Sequence, residues 1–346
     1  MLKIAIVSGP ENGSPKVLSA TLEKFILNTG NYARKFYRVK ALTRLFPAKT
    51  VNENKLLWIV FKLLHFIGDS LFFSSLKNFD AVIVCSCTPY AFYKHSYNVK
   101  AFKKKIDNKP VLYYAVQYLE NSPTIKKRLV EGGHDLLGRY DWHLTVSPIT
   151  ELRGTPAPPW SQIGLYLKSS GLVPMPRKEF LVVVDFLRPG YEQYREIQLK
   201  VLKELNIAYI SLEKPYSMEE IRAIYQKASV YFIQFPEAYG MPIAECLACG
   251  SYIGTPHSAW AMSWRLDEKV EVHGPGTLPE CFLVYDNEDD LREKLIVLRD
   301  KYHLENTPKA VFDNFFAHYP SFYDGNMPAL KEVLGRIESG TITHPY

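Results

Sequence analysis

Short apolar runs alternate along the chain with longer stretches of helical spacing. Leu2–Ser8, Asp80–Cys85, Lys109–Ala115 and Trp142–Val146 are β-branched or aromatic and apolar almost throughout, which predicts buried strands. Between them, apolar positions recur at helical spacing over Lys16–Leu27, Asn54–Phe66 and Thr124–Val130. A proline-rich joint follows (Pro156, Pro158 and Pro159, then Pro174 and Pro176), and the alternation restarts. Strands are predicted at Phe180–Val184, Ile207–Ser211, Val230–Ile233, Ser251–Gly254 and Cys281–Val284. Helices are predicted at Tyr191–Leu205, Ser217–Lys227, Pro242–Ala248, Asn287–Tyr302 and Pro328–Glu338.

Strands that are apolar on both faces and alternate with helices belong to parallel sheets covered on both sides. Two such series predict an α/β chain of two doubly wound, Rossmann-like domains facing a cleft. The expected domains are 1–173 and 174–346, with the last helix packing back on the first. Ligands of such sheets sit beyond the carboxyl ends of the strands, here in the cleft.

Composition narrows the classes. A chain of 346 residues is long for one domain, and 47% hydrophobic with 23% charged residues excludes collagen, a disordered tail and a disulfide scaffold. Five cysteines are an odd, sparse set, which fits a reducing cytosol. The N-terminus lacks the basic start and cleavage site of a secretory signal, and no apolar stretch reaches the ~20 residues of a membrane span. A cytoplasmic protein is expected.

Charge adds an asymmetry. Residues 1–150 hold 22 Lys+Arg against 10 Asp+Glu, or +12, within a chain of net +6, so the remainder carries −6. Such a split points to an anionic partner for the first half, or to surface lysines that simply fell unevenly.

The most informative segment runs Phe235-Pro-Glu-Ala-Tyr-Gly-Met-Pro-Ile-Ala-Glu-Cys-Leu-Ala-Cys-Gly250, followed by Ser-Tyr-Ile-Gly-Thr-Pro256. It leaves a strand and opens a helix. Pro242 suits the first helical position, and Gly240 permits a tight approach just before it. The free N–H groups of that helix start make an anion site, bracketed by Glu237 in the loop and Glu245 one turn inside. A glutamate near a helix N-terminus is also favourable for structural reasons alone.

This segment resembles the signature of the retaining family 4 glycosyltransferases of the GT-B fold, Glu-x7-Glu in a Pro-Glu-x-Phe-Gly context. Pro236, Glu237, Gly240, Glu245, Ala248 and Gly250 match it, and Tyr239 stands in for Phe. Upstream, Tyr216-Ser-Met-Glu-Glu-Ile-Arg-Ala-Ile-Tyr-Gln-Lys-Ala-Ser-Val-Tyr-Phe-Ile resembles the family's approach to the motif, and Trp142-His-Leu-Thr-Val-Ser147 its last N-terminal strand. The resemblance is specific over about 216–256 and architectural elsewhere.

The resemblance implies sugar transfer from a nucleotide-sugar donor with retention of configuration, without a metal or other cofactor. Glu237 would contact the donor sugar, Tyr239, Gly240, Met241 and Pro242 would shape the phosphate end, and Glu245 would hold ribose hydroxyls. The family's Gly-Arg and Lys-Gly cations are absent from Val184-Asp-Phe-Leu-Arg-Pro-Gly-Tyr-Glu192, where Phe186 and Tyr191 stand near those positions. Arg188 is the nearest substitute for holding the diphosphate, with Arg195 or Lys214 as others. Gly9-Pro-Glu-Asn-Gly13 takes the place of a glycine-rich loop, with Gly9 and Gly13 near the donor phosphates or in an ordinary turn. The family's histidine after Val111-Leu-Tyr-Tyr-Ala-Val-Gln-Tyr118 is missing, leaving Gln117 and Tyr118. Tyr90 and Tyr93, in an aromatic loop expected at the cleft, complete an acceptor side.

Other signals are weaker. Cys246-x-x-Cys249 is explained by its helix, so no metal site is expected there. His134, Asp135 and His143 lack partners at a recognisable spacing and are expected at the surface or at strand ends. Leu56–Ile67 reads as a core helix, or alternatively as a helix lying in a membrane interface. The expected acceptor is a glycan or a lipid-linked sugar at an anionic membrane surface. The alternatives are a nucleic-acid base, with the basic clusters on its phosphates, or an epimerase or a non-catalytic nucleotide-sugar binder of the same fold.

Overall fold

The two strand series become two separate parallel sheets in the computed structural model. It describes residues 1–8, 14–37, 55–85, 99–115, 140–147, 159–235, 237, 239–256, 259–261, 263–267 and 273–342. The first sheet contains β1 (Lys3–Ser8), β2 (Tyr32–Tyr37), β3 (Ala81–Cys85), β4 (Val111–Ala115), β5 (Trp142–Thr145) and β6 (Trp160–Gln162), in the order β2-β1-β3-β4-β5-β6. Every pairing is parallel. Three described helices cover it: α1 (Ser14–Leu27), α2 (Lys55–Leu76) and α3 (Val99–Lys105). The predicted helix Thr124–Val130 lies outside the described residues.

The second sheet has five parallel strands, β7 (Leu181–Val184), β8 (Ala208–Ser211), β9 (Val230–Phe232), β10 (Tyr252–Thr255) and β13 (Phe282–Val284), in the order β13-β10-β9-β7-β8. Between β10 and β13 lies an antiparallel pair, β11 (Ala259–Ala261) with β12 (His273–Pro275). The helices are α4 (Glu192–Glu204), α5 (Met218–Tyr225), α6 (Met241–Ala248), α7 (Glu288–Lys301), α8 (Thr307–His318), α9 (Pro320–Tyr323) and α10 (Met327–Glu338).

Local chemistry sets several of these starts. Ser217 accepts from the Glu220 N–H while the Glu220 carboxylate accepts from the Ser217 N–H, a reciprocal cap that begins α5. Asn287 and Asn326 cap α7 and α10 by accepting from the Asp290 and Ala329 N–H groups. The Asn326 amide also donates to the Gln162 carbonyl, and Leu165 N–H to the Ser321 carbonyl, tying the C-terminal helices to the edge of the first sheet. Arg336 on α10 lies over the Trp142 ring at 5.2 Å.

Each sheet reverses its winding at one point, between β1 and β3 in the first and between β7 and β9 in the second. Such switch points open a crevice at the strands' carboxyl ends, where doubly wound sheets take ligands.

Three expectations change. Leu56–Ile67 is part of a 22-residue helix, α2, and its described side chains face outward and not into a core. Phe73 and Leu76 are buried, but Ile59, Val60, Leu63, Ile67 and Leu71 are exposed. His143 is fully buried on β5 between the Tyr113 and Tyr140 rings, because its alternate strand position faces inward. Pro242 occupies the second helical position, since α6 begins at Met241. His134 and Asp135 lie outside the described residues.

Candidate functional site

The crevice between β7 and β9 brings together Asp185, Arg188 and Glu237. Asp185 follows β7 directly, and its N–H donates to the Phe232 carbonyl at the end of β9, so the strand register fixes it at the switch point. Its side chain is buried, and burial raises its carboxyl above the usual range, with the Tyr231 hydroxyl and then the Arg188 charge partly offsetting this. Glu237, in the loop after β9, is 21% exposed. Burial is also the main cause that raises Glu237, opposed by Arg188 and reinforced by the Asp185 charge.

Arg188 stands between the two carboxylates. Its Nη2 is 3.8 Å from Asp185 Oδ2 and 4.0 Å from Glu237 Oε1, and its guanidinium lies 5.0 Å from the centre of the Phe235 ring. Among the described residues its Nε has no hydrogen-bond partner. These separations are the outer limit of an ion pair, so the fork is held in place but its donors are not used up. An anion entering the crevice could take them.

The other two candidate cations differ sharply. Arg195 is buried and fully engaged: it donates to the Asp185 carbonyl, Ser211 and Glu213. It braces the loop and cannot reach a diphosphate without abandoning three partners. Lys214 is exposed, 5.7 Å from the Tyr216 ring, and Tyr216 in turn packs against Phe186. Tyr191 packs on Phe235 at 5.5 Å. The loop positions of Phe186 and Tyr191 thus carry an aromatic rim.

The helix start that completes the site is built around Gly240. Its φ of 68° is in the left-handed region, and a Cβ there would meet Ile243 Cδ1 at 2.7 Å and Glu237 Cβ at 3.3 Å. The absence of a Cβ at Gly240 thus leaves room for Glu237 beside the N-terminus of α6. Met241 supplies an N–H at this end and Pro242 supplies none.

Glu245 sits one turn inside α6 and is buried. Its Oε1 accepts from Arg222 Nε at 3.0 Å and Nη2 at 2.6 Å. Burial raises the Glu245 carboxyl and Arg222 opposes it. Arg222 also lines a small cavity of about 120 Å³ at the domain junction, with Lys16 and Lys24 from α1 and Ser169 and Ser170 from the joint.

Tyr239 does not face the crevice. Its side chain is fully buried, stacked on Trp264 at 5.5 Å and edge-on to Phe322, while its carbonyl accepts from Trp264 Nε1. Cys246 and Cys249 are buried with free thiols, and burial pushes Cys249 up to about 12. Gly9, Gly13, Tyr90, Tyr93, Gln117 and Tyr118 lie outside the described residues. Asp185, Arg222, Tyr216 and Phe235 were not singled out from the sequence. Only the strand register could have found Asp185, and only helix α5 facing α6 could have found Arg222.

The sequence matches no protein-family model and no curated protein. Solved structures do match in shape. The trehalose-6-phosphate synthase OtsA superimposes with a TM-score of 0.56 at 8% identity, over 97% of this chain and 99% of that one. A UDP co-structure of S. aureus MnaA gives 0.52 at 11% identity, over 99% and 97%. The UDP-forming α,α-trehalose-phosphate synthase from Burkholderia xenovorans gives 0.52 at 9%, over 99% and 100%. The fold is GT-B. At these identities the likeness extends to architecture and no further.

A buried carboxylate whose partners only partly offset its burial carries a stability signature. Because burial raises its carboxyl, Asp185 binds a proton in the folded chain over a pH window in which the unfolded chain has already lost it. Stability therefore falls as pH rises through that window, and the full cost remains above the folded-state value. Asp185→Asn is expected to raise Tm relative to the parent at neutral and alkaline pH. The difference should shrink as pH falls and vanish once the carboxyl is protonated in both states. Thermal melts of both proteins across a pH series test this, and a pH-independent difference rejects it.

Proposed function

We propose that this chain is a glycosyltransferase that takes a sugar from a nucleotide-sugar donor and retains its configuration. The observation that carries the reading is Arg188 with donors unused, between Glu237 and Asp185 at the second sheet's switch point and beside the Gly240 helix start. The structural neighbours support it, since two are UDP-forming or UDP-bound proteins by their own descriptions.

In this reading the α6 start and Arg188 take the diphosphate, Glu237 the donor sugar hydroxyls, and Glu245 the ribose hydroxyls. The bond between the anomeric carbon and the phosphate oxygen breaks, and the acceptor oxygen bonds that carbon on the same face. The acceptor's proton passes to the departing phosphate oxygen. Most of the stabilisation is electrostatic, from donors fixed before the charge develops. No metal or other cofactor takes part. The acceptor is a glycan or a lipid-linked sugar held by the first domain, and the reaction is cytoplasmic.

Incubation with UDP-, GDP- and ADP-sugars tests the reading, with free nucleotide and the donor's own stereochemistry both followed. Slow release of nucleotide from one donor is expected. Donor converted to its epimer without release would make the chain an epimerase, and tight nucleotide binding without turnover would make it a binding protein.

A further inference from the structure

Among the described residues, the outer face of α2 has no partner. The helix is 22 residues long, or about 33 Å at 1.5 Å per residue. Ile59, Val60, Leu63, Ile67 and Leu71 are 39 to 65% exposed. At 100° per residue, all five fall within a third of the helix circumference, opposite the buried Leu76 and bordered by the buried Phe73. The other described exposed positions of α2 are Gly68, Ser70, Ser74 and Ser75, so none of them is charged. No described helix is long and apolar enough to cross a membrane.

Positive charge flanks this face on both sides. Arg34 on β2 lies 5.3 Å from the Phe36 ring, which packs edge-on against Phe72 of α2. On the other side, Lys105 of α3 lies 4.6 Å from the Phe73 ring of α2. Lys100 and Lys104, also on α3, are exposed. Helix α3 shares the core cluster of Phe73 and Leu76 through Val99 and Phe102, so its lysines stand on the same side of the sheet as α2. Lys77 and Lys103 are already paired with Asp107 and Asp141.

We infer that α2 lies in the plane of an anionic lipid bilayer, with its aliphatic face in the acyl boundary and the Arg34 and α3 cations on the headgroups. The two features together select this occupant. An aliphatic face gains nothing from nucleic-acid phosphates, which would engage the lysines alone. A second copy of the chain would bring another domain of excess positive charge against this one, which opposes self-pairing there. An anionic bilayer satisfies both, since apolar burial and charge attraction add at an interface. The inference does not depend on the transfer reaction.

Co-sedimentation of the full chain with vesicles rich in phosphatidylglycerol, and with pure phosphatidylcholine, tests it across a salt series. The parent is expected to pellet with the anionic vesicles, less so as salt rises, and about tenfold more weakly with neutral ones. Leu63→Ser with Leu71→Ser should cut anionic binding about tenfold, as should Lys100→Glu with Lys104→Glu, with far-UV circular dichroism unchanged. Anionic-vesicle binding that the leucine variant leaves intact would overturn the inference. So would a gel shift with duplex DNA in the absence of vesicle binding, or a dimer abolished by the leucine variant.

Discussion

Glu237→Ala is expected to lower nucleotide release from the preferred donor by about 10²–10³-fold or more while the fold survives, the scale of losing a preorganised polar contact at a reacting centre. The side chain keeps a fifth of its surface in water, so its removal opens no core cavity. Its carboxyl is held above its usual range by burial and by the Asp185 charge, so the fold gains slightly when it leaves. Melts should therefore show an unchanged or slightly raised Tm alongside the lost activity. Glu237→Gln separates charge from hydrogen bonding. If the carboxylate serves only sugar hydroxyls, the amide recovers part of the rate; if its charge matters at the anomeric carbon, it does not. Near-normal turnover in the alanine variant would remove Glu237 from the donor site.

How far the sequence carried depends on what each element buries. The central strands β1, β3, β4, β7 and β9 are buried on both faces, so their apolar runs announce them and their parallel pairing. The edge strands of the first sheet were silent. β2 carries Arg34 and Lys35 and reads as a polar stretch, while β6 is only Trp160-Ser-Gln162. Both borrow their strand character from a neighbour's hydrogen bonds. The helical spacing predicted over Asn54–Phe66 stops ten residues short, because the polar Gly68, Asp69 and Ser70 interrupt it while the helix runs through them to Leu76.

The site divides in the same way. Glu237, Gly240 and Glu245 lie on one strand-to-helix connection, where local spacing is enough. Asp185 and Arg222 belong to other connections and reach the site only through the order of the sheet and the packing of α5 on α6. Tyr239 was misplaced because the strained Gly240 turn redirects the chain just after it, and the ring goes to the Trp264, Tyr319 and Phe322 cluster.

Arg222→Met should produce the largest stability loss, because it strands a buried charge. Glu245 is 4% exposed, and both described hydrogen bonds to its Oε1 come from Arg222. Removing one partner of a buried pair leaves the other uncompensated, at a cost of about 3 kcal/mol here, since Arg222 itself keeps some contact with water. Without the guanidinium, burial alone acts on the Glu245 carboxyl and raises it further. The deficit should therefore be largest at alkaline pH and shrink on acidification, once folded Glu245 takes up its proton. Arg222→Met with Glu245→Gln should recover most of the stability, because two neutral groups no longer face an unpaid desolvation. If Glu245 only anchors α6, that double variant binds nucleotide like the parent. If it holds the ribose, chemical denaturation will show a rescued fold while titration with UDP shows binding still weakened. A double variant as unstable as Arg222→Met would mean that the arginine acts through its packing at the domain junction and not through its charge.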